Sequence, residues 1–145
     1  MKLNKKAHYA LQLAVYLTRS GCSNIQVIAE NLKLSPTFLA QVANQMKKGG
    51  VLKSVKGPGG GYELIGEPTV RMVLSAVDSS RVVSQKDKDS FETGTIEQRT
   101  VGTLLGVMQI ALGRAMNATV KKYAELRVDE ERKMLNSEAA MGGTQ

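Results

Sequence analysis

Residues 53–64 read KSVKGPGGGYEL, four glycines and a proline set between two short strand-like pieces, with Lys53 and Lys56 close by. A helix cannot run through such a segment, because glycine and proline are the two residues least compatible with a helix interior. Glycine-rich backbone does approach phosphates closely, so a nucleotide loop is the first possibility. The spelling excludes it. A G-x-x-x-x-G-K-[ST] loop needs Lys and Ser/Thr where Gly57 to Tyr62 offers neither, and G-x-G-x-x-G needs glycine at Tyr62. Both loops also need a helix directly afterwards, whereas Tyr62-Glu63-Leu64-Ile65 alternates like a strand and runs into Gly66-Glu67-Pro68. Strand, glycine turn and strand predict a hairpin from Val51 to about Ile65.

Three helices precede it. The spacing of Ala10, Leu13, Ala14 and Leu17 predicts a helix from Asn4 to Arg19, stopped by Ser20-Gly21. Ser23-Asn24 can cap a short helix through Ile25, Ile28, Ala29 and Leu32, ending near Lys33. A third starts at Ser35, a good N-cap, with Pro36 in the first helical position; Leu39, Val42, Ala43 and Met46 form its inward stripe and Gly49-Gly50 ends it. The joint at Lys33-Leu34 makes a helix-turn-helix. Three helices and a two-stranded hairpin are the layout of a winged helix, so the expected fold is mainly α, and KSVKGPGGGYEL is its wing.

Charge agrees with this layout. Residues 1–56 hold nine basic residues and a single acid, Glu30, while the rest of the chain is nearly balanced. Such an asymmetry is the electrostatic footprint of a protein that meets a polyanion. A winged helix lays its third helix in the major groove of double-stranded DNA. The outward residues there are Thr37, Ala40, Gln41, Asn44 and Lys48, with Ser35 and Pro36 at the end nearest the DNA. Gln41 and Asn44 suit base edges; Ser35, Thr37, Lys47 and Lys48 suit phosphates. On the wing, Lys53 and Lys56 supply charge, Gly59 and Gly60 allow close approach, and Tyr62 flanks them. The plainer alternative for each polar residue is simple solvation. One cysteine, Cys22, excludes a disulfide framework, and no apolar run reaches membrane-spanning length; both point to a soluble, cytoplasmic chain without membrane partners.

Beyond the winged helix, residues 1–66, a second unit of 67–127 and a polar tail of 128–145 are expected. Val70, Val73, Leu74 and Val77 predict a fourth helix from Thr69; residues 79–98 read as an irregular, polar connection. From Thr100 to about Leu126 the pattern is helical, with a break near Asn117-Ala118-Thr119. Val101, Leu104, Leu105, Met108, Ala111, Leu112, Ala115 and Met116 recur at spacings of three and four, a stripe suited to dimerisation against a second copy or to packing within its own domain. From Val128 the chain turns charged, then small and polar, with a frayed end expected.

MKLNKKAHYALQLAVYL, SPTFLAQV followed by MKKGGVLKSVKGPGGGYEL, and LSAVD at 74–78 resemble the Rrf-type winged-helix transcription regulators, the family of IscR, CymR and NsrR. The resemblance is strong over residues 1–78 and loose beyond. It implies a homodimer joined by the long helix, with each third helix and wing on one half of an imperfect palindrome, usually as a repressor. Well-known members hold a two-iron cluster on three cysteines in the connection before the long helix. Residues 79–98 contain no cysteine, so the likeness extends to members without a cluster, of the CymR type. His8 and Cys22 make a poor ligand set, and neither metal nor other cofactor is expected. Lys56 stands where the family often has Arg, replacing a forked donor by a point charge. Ala40 stands where the cluster regulator has an acid, so that relative's operator does not transfer.

The leading expectation is therefore a DNA-binding repressor that occludes promoters. An enzyme lacks support: no paired catalytic carboxylates, nucleophile–base motif or metal spacing is present. A second alternative is a dimeric winged-helix interaction protein that has lost specific DNA reading and acts through a protein partner. A small-molecule or protein effector is compatible with the sequence, which does not identify one.

Overall fold

The computed structural model of the chain describes residues 4–78 and 95–142, apart from the side chains at 97, 98, 101, 102 and 105. Along them run α1 (Lys5–Ser20), α2 (Ile25–Leu32), α3 (Pro36–Lys48), β1 (Leu52–Val55), β2 (Gly61–Leu64), α4 (Val70–Val77), α5 (Ile96–Asn117) and α6 (Val120–Gly142). Local chemistry sets the helix starts. Asn4 Oδ1 accepts the Ala7 N–H at 2.9 Å, Asn24 Oδ1 that of Gln26 at 2.8 Å, Ser35 Oγ that of Phe38 at 3.4 Å and Thr69 Oγ1 that of Met72 at 3.2 Å. Each takes a first-turn amide that has no acceptor inside its own helix. At the far end of α2, Lys33 turns left-handed at φ 55°, and its N–H reaches the carbonyls of Ala29 and Glu30. That reversal makes the tight turn of the helix-turn-helix.

The core forms around α1, which packs against α3, α4, α6 and β2. Ala10 and Ala14 are fully buried, small enough to let neighbouring helices close in on Leu13 between them. Ile28 of α2, Leu39, Val42 and Met46 of α3, Val51, Leu52, Val73 and Val120 complete the cluster. The inward stripe expected on α3 is thus the buried one, and the fold is the winged helix foreseen from the sequence.

In the wing, Leu52 pairs with Leu64, Lys53 with Glu63, Ser54 with Tyr62 and Val55 with Gly61, antiparallel. The first strand starts at Leu52 and the second stops at Leu64, a residue inside the expected bounds at each end. The hairpin is seated on the turn before α2: Ser23 and Tyr62 exchange backbone hydrogen bonds of 3.0 and 2.9 Å.

The C-terminal half differs in extent from the sequence expectation. The helix begins at Ile96, taking in 96–98, which the sequence pattern places in the connection. It breaks at Ala118-Thr119, as the sequence suggests, and the stretch from Val128 to Gly142 continues α6, where the sequence predicts a frayed end. Good helix formers and the pairs Arg127–Glu130 at 3.5 Å and Arg127–Glu131 at 3.3 Å sustain it. The remainder of the expected connection, 79–94, lies outside the described residues. Two backbone hydrogen bonds stitch the α5–α6 junction to the start of α4: Val70 N–H to Ala118 O and Val120 N–H to Pro68 O, both 3.0 Å. Beside them Lys121 Nζ meets Glu67 Oε1 at 2.8 Å and Arg71 Nε donates to Asn117 Oδ1 at 3.0 Å.

Candidate nucleic-acid interface

Burying Leu39, Val42, Ala43 and Met46 leaves α3 one outward row, Thr37, Gln41, Asn44 and Lys48, at steps of four, three and four. All four are exposed, as are Ser35, Pro36 and Lys47, while Ala40 is half-buried. No side-chain hydrogen bond or ion pair within the described chain occupies Thr37, Gln41, Asn44, Lys47 or Lys48. The two lysines stand in the last helical turn, where the helix dipole favours positive charge. Gln45, given no role by the sequence reading, turns inward: it is half-buried and its Oε1 is buried without a partner.

On the wing the residues separate into different tasks. Lys56 is exposed and forms no ion pair with a described residue. Lys53 is tied to Glu63 across the strands at 2.7 Å. The hydrogen bond from its ammonium, and then the carboxylate's charge, hold Lys53 above the usual lysine pKa. Tyr62 is half-buried against the core, and its backbone is the one bonded to Ser23. The glycines are set by the hairpin's own geometry. Gly57 and Gly59 run at φ 98° and 73° with open space around them. At Gly60 a side chain would enter the carbonyls of Val55 and Gly57. Gly59 is exposed and Gly60 half-buried.

On α5, Leu104 and Met108 are 57 % and 58 % exposed, and Ala111 and Ala115 are exposed too; Leu112 and Met116 are half-buried. The side chains of Val101 and Leu105 lie outside the described set. Val107 and Ile110, outside the expected stripe, are 60 % and 61 % exposed and follow Leu104 at steps of three. Lys5, one of the nine basic residues of 1–56, holds its ammonium over the rings of Tyr9 and Phe38.

His8 is exposed in the first turns of α1 and Cys22 is half-buried just past its end. Twelve or more helical residues at about 1.5 Å each separate them by far more than a shared metal ion spans. Among the described residues no three His, Cys, Asp or Glu side chains gather where a metal could be held. No described helix is long and apolar enough to cross a membrane.

This architecture matches known structures. CymR of B. subtilis, a global cysteine regulator, superposes with a TM-score of 0.69 over 87% of this chain and 98% of its own, at 23% identity. The oxidized form of Staphylococcus aureus CymR gives 0.63 over 86% and 97%, at 25% identity. Among curated sequences, the HTH-type transcriptional regulator IscR of Aliivibrio salmonicida is 39% identical over 87 residues, 55% of this chain and 51% of that protein. The chain thus spans about half the length of the curated relative it matches. A family model, Rrf2, described as an iron-dependent transcriptional regulator, matches residues 3–123. That span takes in the helix-turn-helix, the wing, α4, α5 and the seam into α6 as one continuous match, and the chain belongs to the Rrf2 family.

Proposed function

We propose that this chain is a transcriptional regulator that binds double-stranded DNA as a homodimer and represses by occluding promoters. Helix α3 enters the major groove, where Gln41 and Asn44 meet base edges while Ser35, Thr37, Lys47 and Lys48 take phosphates. The wing follows the adjacent backbone through Lys56, with Gly59 and Gly60 shaping its tip. Two copies pair through the apolar face of α5 and address the two halves of an imperfect palindrome. The observation that carries this reading is the row Thr37, Gln41, Asn44 and Lys48: polar, exposed, and without a partner within the described chain, directly over a fully buried stripe.

The family's iron dependence meets a chain with one cysteine and one histidine. Cysteine-ligated clusters need several thiolates, so these residues do not fit such a group, and the proposed regulator is cluster-free. Catalysis has no place in it.

Selection of bound duplexes from a random library by the purified protein tests the reading, with an absorbance spectrum of an anaerobic sample taken first. A palindromic motif from a colourless sample supports it. Salt-sensitive binding without enrichment of any motif would shift the function to a protein partner.

A further inference from the structure

A cation of α1 stands beside the first turn of α3. Lys5 and Lys6 are exposed in the first turn of α1. Lys5 Nζ lies 4.9 Å from the ring centroid of Phe38 and 5.6 Å from that of Tyr9. The two rings meet edge to face, 4.9 Å apart at 84°. Both distances fall within the ~6 Å over which a ring face attracts an ammonium. An exposed lysine otherwise spreads over many rotamers; here two rings narrow it to one place.

That place is informative. Tyr9 is buried in the core, so the platform is rigid, and Phe38 is the third residue of α3, beside exposed Pro36 and Thr37. Lys5 also keeps its charge uncompensated: it forms no ion pair with a described residue, unlike Lys53 and Lys121, each closed onto a glutamate. A cation that is held in position, solvent-facing and unneutralised is suited to a fixed anion outside the chain.

We infer that the first turn of α1 is a third arm of the DNA interface, with Lys5 set on the Tyr9–Phe38 platform to take a backbone phosphate next to the first turn of α3. The inference rests on the proposed docking of α3. Phosphate contacts orient a protein on the duplex without reading sequence. Because the platform joins α1 to α3, Lys5 fixes the angle at which α3 enters the groove.

The alternative role for Lys5 is a staple between two helices, which would affect stability alone. Full-length parent, Lys5→Gln, Lys5→Arg and Lys48→Gln proteins are titrated with a mixed-sequence duplex over a range of salt, alongside thermal unfolding. The slope of log affinity against log salt is expected to fall by about 0.9 per bound subunit in Lys5→Gln and to be kept in Lys5→Arg. A parental slope in Lys5→Gln, whatever its unfolding temperature, overturns the inference. Should Lys48→Gln still flatten the slope, the docking of α3 stands without its third arm. If neither variant alters the slope, or the parent does not bind, the reading of α3 fails with it.

Discussion

Replacing Gly61 by alanine tests how the wing is held. Gly61 opens β2 opposite Val55 with φ 151°, and a methyl group there would enter the backbone of Ser23 and Asn24, which has no rotamer with which to yield. The collision falls on the spot where Ser23 and Tyr62 exchange two hydrogen bonds. Losing both costs roughly 1–3 kcal/mol together, and forcing alanine into this backbone region adds about 1–3 kcal/mol, so Gly61→Ala should cost about 2–6 kcal/mol. Gly59→Ala is the control: φ is 73°, but nothing lies within 4 Å, so only the left-handed penalty of about 1–2 kcal/mol applies. Urea unfolding followed by helical circular dichroism reads both. Against a typical total of about 5–15 kcal/mol, the Gly61 variant should unfold at clearly lower urea than the Gly59 variant. Coincident midpoints would refute the claim that close contact with Ser23 requires this glycine.

Gln41→Ala should change which bases are enriched in a duplex selection, whereas Lys56→Ala should weaken all sequences alike and flatten the salt slope by about 0.9 per subunit; identical enrichment profiles would remove Gln41 from the base edges. Leu104→Asp combined with Met108→Asp places charge on the exposed face of α5, and sedimentation should show monomers; a persisting dimer would move the pairing surface elsewhere. Glu63→Gln releases Lys53. The ion pair raises the lysine's pKa, so it is intact at neutral pH and is lost only as pH climbs through that raised value; the variant should bind DNA more tightly at neutral pH and with a steeper salt slope. An unchanged slope would mean that Lys53 faces no phosphate.

Legibility followed the range of the interactions. The start of α3 could be read because Ser35 and Pro36 act within one helical turn, and its buried stripe because helical periodicity is local. KGPGGGY announced a hairpin, yet its glycines looked alike on paper; only the folded backbone assigns Gly57, Gly59 and Gly61 to positive φ, and Gly60 and Gly61 to close approaches. Lys53 and Lys56 were equivalent in sequence, and the strand register that pairs Lys53 with Glu63 separates them. The length of α6 was hidden for another reason: residues 128–142 carry little apolar periodicity, and their helix rests on propensity and on pairs such as Arg127–Glu131. Lys5 on Phe38 joins residues 33 positions apart, which no local pattern encodes.

The backbone seam between Pro68–Val70 and Ala118–Val120 turns α5 into a ruler. Because α4 packs on α1 and α3 while its first residues are bonded to the foot of α5, α3 and α5 cannot swivel independently. In the proposed dimer this fixes the separation of the two α3 helices as a property of the protein. DNA advances about 34–36° per base pair, so one pair inserted between half-sites would rotate one of them away from its helix. The seam would then have to part or the duplex to twist, and either would make binding depend on spacing as strongly as on the bases themselves.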